Sequence, residues 1–131
     1  MKIAVSAQGT DLNAPVDPRM GRAQHFLLVE TETMEVEVLE NPHIAATGGA
    51  GIQAAQLLAS KGAQAVITGH CGPNAFATLH AAQIPVVVGA AGTVRDVVAQ
   101  YTQGQLQATT QPDVGGHFGA PRGGGNLSSR G

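Results

Sequence analysis

Two arginines and three glycine-bearing loops are the features of this sequence with the clearest chemical potential. The loops cover residues 47–51, 69–74 and 89–93, and each runs directly into a predicted helix. A helix start presents unpaired N–H groups and a partial positive charge, and glycine lets a ligand approach the backbone closely. Arg19 and Arg22 would add two positive charges from an earlier loop. This combination predicts a site for a compact anion, such as a phosphate group or a sulfide-rich metal cluster.

The second of these loops also carries the only cysteine of the chain. Cys71 lies beside His70 at a predicted helix start, a setting that favours the thiolate, and a thiolate could hold copper or another soft metal. His43 and His70 could donate hydrogen bonds to an anion or ligate a metal. The alternative is that Cys71 is a small apolar residue at a tight turn. A zinc site is not indicated, because the candidate ligands lack paired spacing.

The sequence favours a binding protein over an enzyme. Hydrolysis with two metal ions needs carboxylates at the strand ends. The loop after the first predicted strand, residues 8–24, which we call the first loop, holds only Asp11 and Asp17, and no acid follows the fourth or fifth predicted strand. A cysteine nucleophile would need an orienting acid beside His70, and none is evident. The alternatives that remain are a protein-interaction module without a cluster and, less favoured, a thiol enzyme that uses Cys71.

Short strands and helices must position these loops. Strands are predicted over residues 2–7, 25–30, 35–40, 65–68 and 85–89, the third of them from its strict alternation, and helices over 51–61, from 73 and from 93. Gly62 and Gly104 are placed to end the first and third helices, and Thr93 with Asp96 forms a capping-box pattern at the start of the third. The continuous apolar runs of the last two strands are typical of parallel strands covered on both faces. The order β-β-β-α-β-α-β-α predicts an α/β fold with a mixed five-stranded sheet, helices on both faces and a ribonuclease-H-like layout. Ligands bind such sheets beyond the carboxyl ends of the parallel strands, where these loops lie.

Acidic residues are concentrated in the predicted second and third strands. Five of the nine acidic residues fall between Glu30 and Glu40. They could form an acidic docking surface for a partner. The favoured interpretation is an edge strand that its charges protect against edge-to-edge pairing.

Composition limits the domain number and the kinds of partner that the chain can have. The 131 residues suit one domain, which we predict over residues 1–109, followed by a flexible glycine-rich tail over 110–131. The net charge of -2 and the 3% aromatic content argue against nucleic acid as a partner. Because no apolar run approaches the ~18 residues of a membrane span, we expect no membrane association and a cytoplasmic protein.

Four segments carry a family resemblance. Residues 16–29, 49–55, 66–75 and 92–96 resemble, in order, the motifs of the dinitrogenase iron–molybdenum cofactor biosynthesis family, and the similarity extends over about residues 1–107. That family includes carriers of nitrogenase cofactor precursors and the orange proteins, which hold a molybdenum–copper sulfide cluster. The chain is most similar to the orange-protein group. Met20 and Ala23 stand where many relatives have Phe and some have Cys, so the first loop offers no thiol.

The resemblance implies a ribonuclease-H-like fold and a non-enzymatic role in binding or carrying an anionic molybdenum-containing metal–sulfur cluster. A molybdenum–copper sulfide is favoured, with an iron–molybdenum type as the second candidate, and client or ATPase-type proteins are the expected protein partners. Cys71 and His70 are the candidate metal ligands. The candidate cluster contacts are Arg19, Gly21, Arg22, His43, Gly49, Gly51, His70, Cys71, Gly72 and Asn74.

Overall fold

Strands and helices alternate along the chain in the predicted order. The computed structural model describes residues 1–41 and 50–109, so the predicted tail and the candidate contacts His43 and Gly49 lie outside the described residues. The elements are β1 (Lys2–Ala7), β2 (His25–Glu30), β3 (Val36–Glu40), α1 (Ala50–Ser60), β4 (Ala65–Ile67), α2 (Pro73–Ala81), β5 (Val86–Val87) and α3 (Val94–Thr102). The last two strands are shorter than predicted.

The strands form one mixed sheet in the order β3-β2-β1-β4-β5. β1, β4 and β5 are parallel neighbours, whereas β2 pairs antiparallel with both β1 and β3. The α/β class and the mixed five-stranded sheet are therefore confirmed. Because β1, β3, β4 and β5 all point the same way, their carboxyl ends share one rim of the sheet, which we call the carboxyl edge.

Helices cover both faces of this sheet. α1 and α2 pack Ala54, Leu58 and Leu79 against a core that includes Phe26 and Val66. On the opposite face, the buried side of α3 joins a second core with inward residues of β1, β2, β4 and β5. Among the residues described, no helix is long and apolar enough to cross a bilayer.

The helix ends follow the predicted turn chemistry. Gly62 and Gly104 have φ values of 83° and 77°, and each lies two residues beyond the last residue of a helix, α1 and α3 respectively. Only glycine adopts this left-handed conformation without strain, which explains its use at both positions. The hydroxyl of Thr93 accepts a hydrogen bond from the Asp96 N–H at 3.1 Å, as its capping pattern predicts.

Candidate functional site

The loop after β1 runs alongside the loop after β4 at the carboxyl edge. The His70 N–H donates to the Pro18 carbonyl at 2.7 Å, and the Met20 N–H donates to the His70 carbonyl at 3.2 Å. Arg19 and His70 are thus paired as if in parallel strands. Both residues are exposed, so a guanidinium and an imidazole lie on neighbouring stretches of backbone at this edge.

Gly69 makes this close approach of the two loops possible. A Cβ atom at this buried position would lie 2.5 Å from the Pro18 Cα and 2.8 Å from the Pro18 carbonyl oxygen. Real Cβ atoms do not come so close to backbone, so a side chain here would force the loops apart. Nothing local in the sequence marks this glycine, because its neighbour comes from a distant part of the chain.

Asp17 anchors the Arg19 side chain. Its carboxylate accepts hydrogen bonds from the Arg19 backbone N–H at 2.9 Å and from Nε at 3.2 Å and a terminal guanidinium nitrogen at 3.3 Å. The Asp17 side chain is 3% exposed and the Arg19 side chain 61% exposed. This hydrogen bond and the opposite charge raise the pKa of Arg19 above its ordinary value. Arg19 is therefore oriented, but its charge is partly balanced from within the protein.

A buried polar contact fixes Asp17 in turn. The Ser6 hydroxyl donates to the Asp17 carbonyl at 2.7 Å, and the Asp17 N–H donates to the Ser6 carbonyl at 2.8 Å. The Thr68 hydroxyl lies 2.8 Å from that of Ser6, which ties the ends of β1 and β4 together. The role of Asp17 is not predicted from the sequence. The available signal was an acid two residues before an arginine in an irregular loop.

The start of α2 lies open next to this paired backbone. Gly72 is its N-cap residue, with φ −68° and ψ 171°, and Pro73 follows at the first helical position. No side chain caps the helix, and its first turn holds no acidic residue. Gly72 and Asn74 are exposed. Pro73 has no N–H, and the Phe76 N–H donates to the Gly72 carbonyl at 2.9 Å, so the first-turn donors available to an external acceptor are the N–H groups of Asn74 and Ala75.

The start of α1 lies against that of α2. A Cβ atom at Gly51 would lie 3.2 Å from the Cβ of Ala75, so the glycine allows the two helix starts to approach closely. The first turn of α1, like that of α2, has no acidic residue. Two helix starts with the same partial positive charge therefore lie together on one face of the carboxyl edge.

Cys71 points away from this edge. Its side chain is fully buried in the core beneath α1 and α2, in the same cluster as Met20 and Ala23. This burial favours the alternative that Cys71 is a small apolar residue at a tight turn. Across residues 1–41 and 50–109, no three His, Cys, Asp or Glu side chains are grouped so as to hold a metal ion. The described residues fit an anion held by N–H groups and guanidinium better than a metal ligated by side chains.

The start of α3 differs from the prediction that it contributes to the anion site. The N–H groups of Val94 and Arg95 donate to carbonyls of the first loop, both at 2.9 Å, and the next two N–H groups donate to Thr93. Every N–H of this first turn is therefore used. The loop over residues 89–93 supports the first loop, and the helix that follows it offers no free donor there.

Gly21 and Arg22 lie in the first loop, close to the end of β3. The carbonyl of Gly21 accepts a hydrogen bond from Asn41 Nδ2 at 3.1 Å, which ties the first loop to the end of β3. Arg22, the next residue, is exposed. Asn41 is 5% exposed and was not singled out from the sequence. The structure thus brings to one edge the candidates Gly21, Arg22, Arg19, His70, Gly72, Asn74 and Gly51.

Comparisons with known proteins match this architecture. The apo form of the orange protein from Desulfovibrio gigas has 42% sequence identity, with a TM-score of 0.83 over 86% of this chain and 95% of that chain. A Thermotoga protein, described as belonging to the DUF35 family, has 37% identity, with a TM-score of 0.71 over 82% of this chain and 91% of that one. An uncharacterized protein of Methanocaldococcus jannaschii is 28% identical over 110 residues, which are 82% of this chain and 90% of the relative.

The family assignment rests on the greater part of the chain. The model of the family described as dinitrogenase iron-molybdenum cofactor matches residues 1–104. This range contains the first loop, the open start of α2 and all five strands. The resemblance found in the sequence is therefore confirmed, and the chain belongs to the dinitrogenase iron–molybdenum cofactor family.

Proposed function

We propose that this protein binds or carries an anionic, molybdenum-containing metal–sulfur cluster at the carboxyl edge of its sheet. A molybdenum–copper sulfide is the favoured cargo, and an iron–molybdenum cluster is the second candidate. Membership of a cofactor family and the 42% identity with an orange protein support a cofactor-binding role. The observation that carries the proposal is the uncapped start of α2 beside the paired backbone of Arg19 and His70.

The proposed contacts suit a sulfide-rich anion. Backbone N–H groups at a helix start donate to sulfide without any ligand exchange at the metal, and charge-assisted hydrogen bonds are stronger than neutral ones. Arg19 presents a guanidinium that Asp17 holds in place, and Arg22 adds a second exposed one. The proposed contact set is Arg19, Gly21, Arg22, His43, Gly49, Gly51, His70, Cys71, Gly72 and Asn74, in which Cys71 contributes through its backbone.

The proposal is for a carrier, not an enzyme. Its cargo would pass between this protein and client or ATPase-type proteins. The burial of Cys71 counts against a thiol enzyme, because reactive cysteines are at least partly exposed. We also propose the ribonuclease-H-like description, on the strand order with β2 antiparallel to its neighbours, and a domain over residues 1–109 followed by a separate tail.

Reconstitution with tetrathiomolybdate and copper(I) tests the cargo. We expect the full chain to retain a coloured species through desalting, with molybdenum and copper measured in the protein fraction. The double variant Arg19→Ala/Arg22→Ala should lose most of this colour, because it removes both guanidinium groups of the proposed site. Arg95→Ala is the matched control, since Arg95 is an exposed arginine on α3.

The test compares how much coloured cluster the wild type and the double variant retain when both proteins are folded. Because Arg19→Ala leaves the buried Asp17 carboxylate only the backbone N–H of residue 19, without the guanidinium, circular dichroism must show that the double variant is folded. Equal retention of colour by a folded double variant would contradict the site. A colourless, metal-free protein purified from its native source would instead favour the interaction module.

A further inference from the structure

The two outer edges of the sheet are finished differently. At the β5 edge, the Thr109 N–H donates to the Val86 carbonyl at 2.7 Å, so the chain itself begins to cover that edge. At the other edge, no strand among residues 1–41 and 50–109 pairs with the outer side of β3. An unpaired strand edge is a template for an added strand.

The hydrogen-bond pattern defines which groups β3 offers. The Glu30 N–H donates to the Glu35 carbonyl at 2.9 Å, and the Asn41 N–H donates to the Gln24 carbonyl at 3.0 Å. In an antiparallel pair, alternate residues face the partner strand, so the intervening Val36, Val38 and Glu40 turn their N–H and C=O groups outward. Three residues thus present a regular row of donors and acceptors.

The side chains of β3 alternate between the two faces of the sheet, so those of Val36, Val38 and Glu40 lie on one face and those of Glu37 and the buried Leu39 on the other. Val36 packs at the border of the α3-side core, and Val38, which lies on the same face, is 40% exposed. The other face holds Glu37, and Glu35 precedes it. A cavity of about 440 Å³ extends from β3 across β2 to β1, and it is lined by Lys2, Leu28, Glu30, Glu35, Val36 and Glu37.

The negative charge along β3 disfavours a second copy of the chain at this edge and favours a basic segment. Two copies of the chain paired along β3 would place exposed carboxylates of both copies on each face of the joined sheet, those of Glu35 and Glu37 on one face and that of Glu40 on the other. Like charges across a strand pair are destabilising, whereas opposite charges contribute favourably. Glu37 already has an ion-pair partner, since Lys61 Nζ lies 3.5 Å from one of its oxygens, whereas Glu35 and Glu40 form no ion pair within residues 1–41 and 50–109.

We propose that the outer edge of β3 docks an extended, basic segment of a partner protein as a sixth strand. Aliphatic side chains of that segment lie on the face of Val36 and Val38, and alternating lysines or arginines lie on the face of Glu35 and Glu37. The outward N–H and C=O groups of Val36, Val38 and Glu40 supply the backbone hydrogen bonds. This docking is independent of cluster binding and is testable on the protein without cargo.

A short synthetic peptide that alternates lysine with valine is the probe, and amide hydrogen exchange in the full chain is the measurement. Saturating peptide should slow exchange of the Val36, Val38 and Glu40 amides by at least about ten-fold. The amides of Glu37 and Leu39 already face β2 and should change little. A peptide of equal length that alternates glutamate with valine should give no protection.

Two variants separate backbone docking from simple charge attraction. Val38→Pro removes one outward donor but no hydrogen bond to β2, and proline is tolerated on edge strands, so the fold should survive while peptide protection is lost. Val38→Thr keeps the donor and should retain protection.

Four results would overturn the proposal. They are equal protection by the glutamate peptide, unchanged protection in a folded Val38→Pro variant, protection that rises with protein concentration alone, and full protection of these amides in dilute protein without peptide. The third would identify a second copy as the occupant, and the fourth a segment of the chain itself.

Discussion

The starts of α2 and α3 resemble each other in sequence but differ in what they leave open. Both follow a glycine-bearing loop after a parallel strand. At α3, Thr93 caps the helix, Asp96 adds an acid to the first turn, and the first loop accepts the remaining N–H groups. At α2, Gly72 supplies no cap and the first turn has no acid.

This difference shows that a helix start becomes an anion site only where the protein has not already satisfied it. The two starts also lie on opposite faces of the sheet, so only α2 joins α1 and Arg19 in one place. The partial charge of a helix start is general, whereas its availability depends on the side chain at the N-cap and on neighbouring carbonyls.

Gly69→Ala should have the largest effect, because it separates the first loop from the approach to α2. The new methyl group would overlap the Pro18 backbone, and overpacking of this kind costs about 1–3 kcal/mol in the free energy of unfolding. Urea denaturation measures that loss, and cluster retention should fall with it. Gly72→Ala is the matched control, because a Cβ there meets nothing within 4 Å. Equal stability of Gly69→Ala and wild type would contradict the contact.

Thr93→Ala should have an intermediate effect that is confined to stability. Removing the cap leaves the Asp96 N–H without its acceptor and costs about 1 kcal/mol in the free energy of unfolding. Cluster retention should stay at the wild-type level, because the start of α3 takes no part in the proposed site. A folded Thr93→Ala protein that loses its coloured species would show that both helix starts serve the cargo.

Gly72→Asp should have the smallest effect on the free energy of unfolding, and it should stabilise the protein where the two preceding substitutions destabilise it. The backbone of Gly72 already has the extended conformation of an N-cap, so an aspartate can accept from the first-turn N–H groups and add a few tenths of a kcal/mol. The same carboxylate would occupy the donors proposed for the cluster, and retention of tetrathiomolybdate and copper should fall. Gly72→Asn caps without a charge and separates the two causes. Unchanged retention in Gly72→Asp would exclude the α2 start as a cluster contact.

Local sequence patterns were sufficient for most of the fold. The apolar runs of β4 and β5 and the alternation of β3 placed the strands, and Thr93 with Asp96 placed the start of α3. The terminal glycines Gly62 and Gly104 also lie where the pattern put them. These features depend on residues close together in the chain, which is why the sequence reveals them.

The site was less predictable because it depends on distant pairs. The pairing of Arg19 with His70 and the contact of Gly69 with Pro18 join loops that are far apart in sequence. Glycine before a helix predicted an open start at both α2 and α3. Only the tertiary structure shows that carbonyls of the first loop accept hydrogen bonds from the N–H groups at the start of α3. The orientation of Cys71 also depends on packing, since either an outward or an inward thiol suits a residue at a turn.

Because Cys71 is buried, its reaction with thiol reagents would report local opening of the protein around it. As the only cysteine in 131 residues, it gives any thiol reagent a single target, and that target is sealed beneath α1 and α2 in the folded state. Two folded molecules therefore cannot be joined by air oxidation unless this junction first opens. The rate at which a maleimide labels Cys71 would measure how often that junction opens, and a cargo bound across the helix starts would lower the labelling rate.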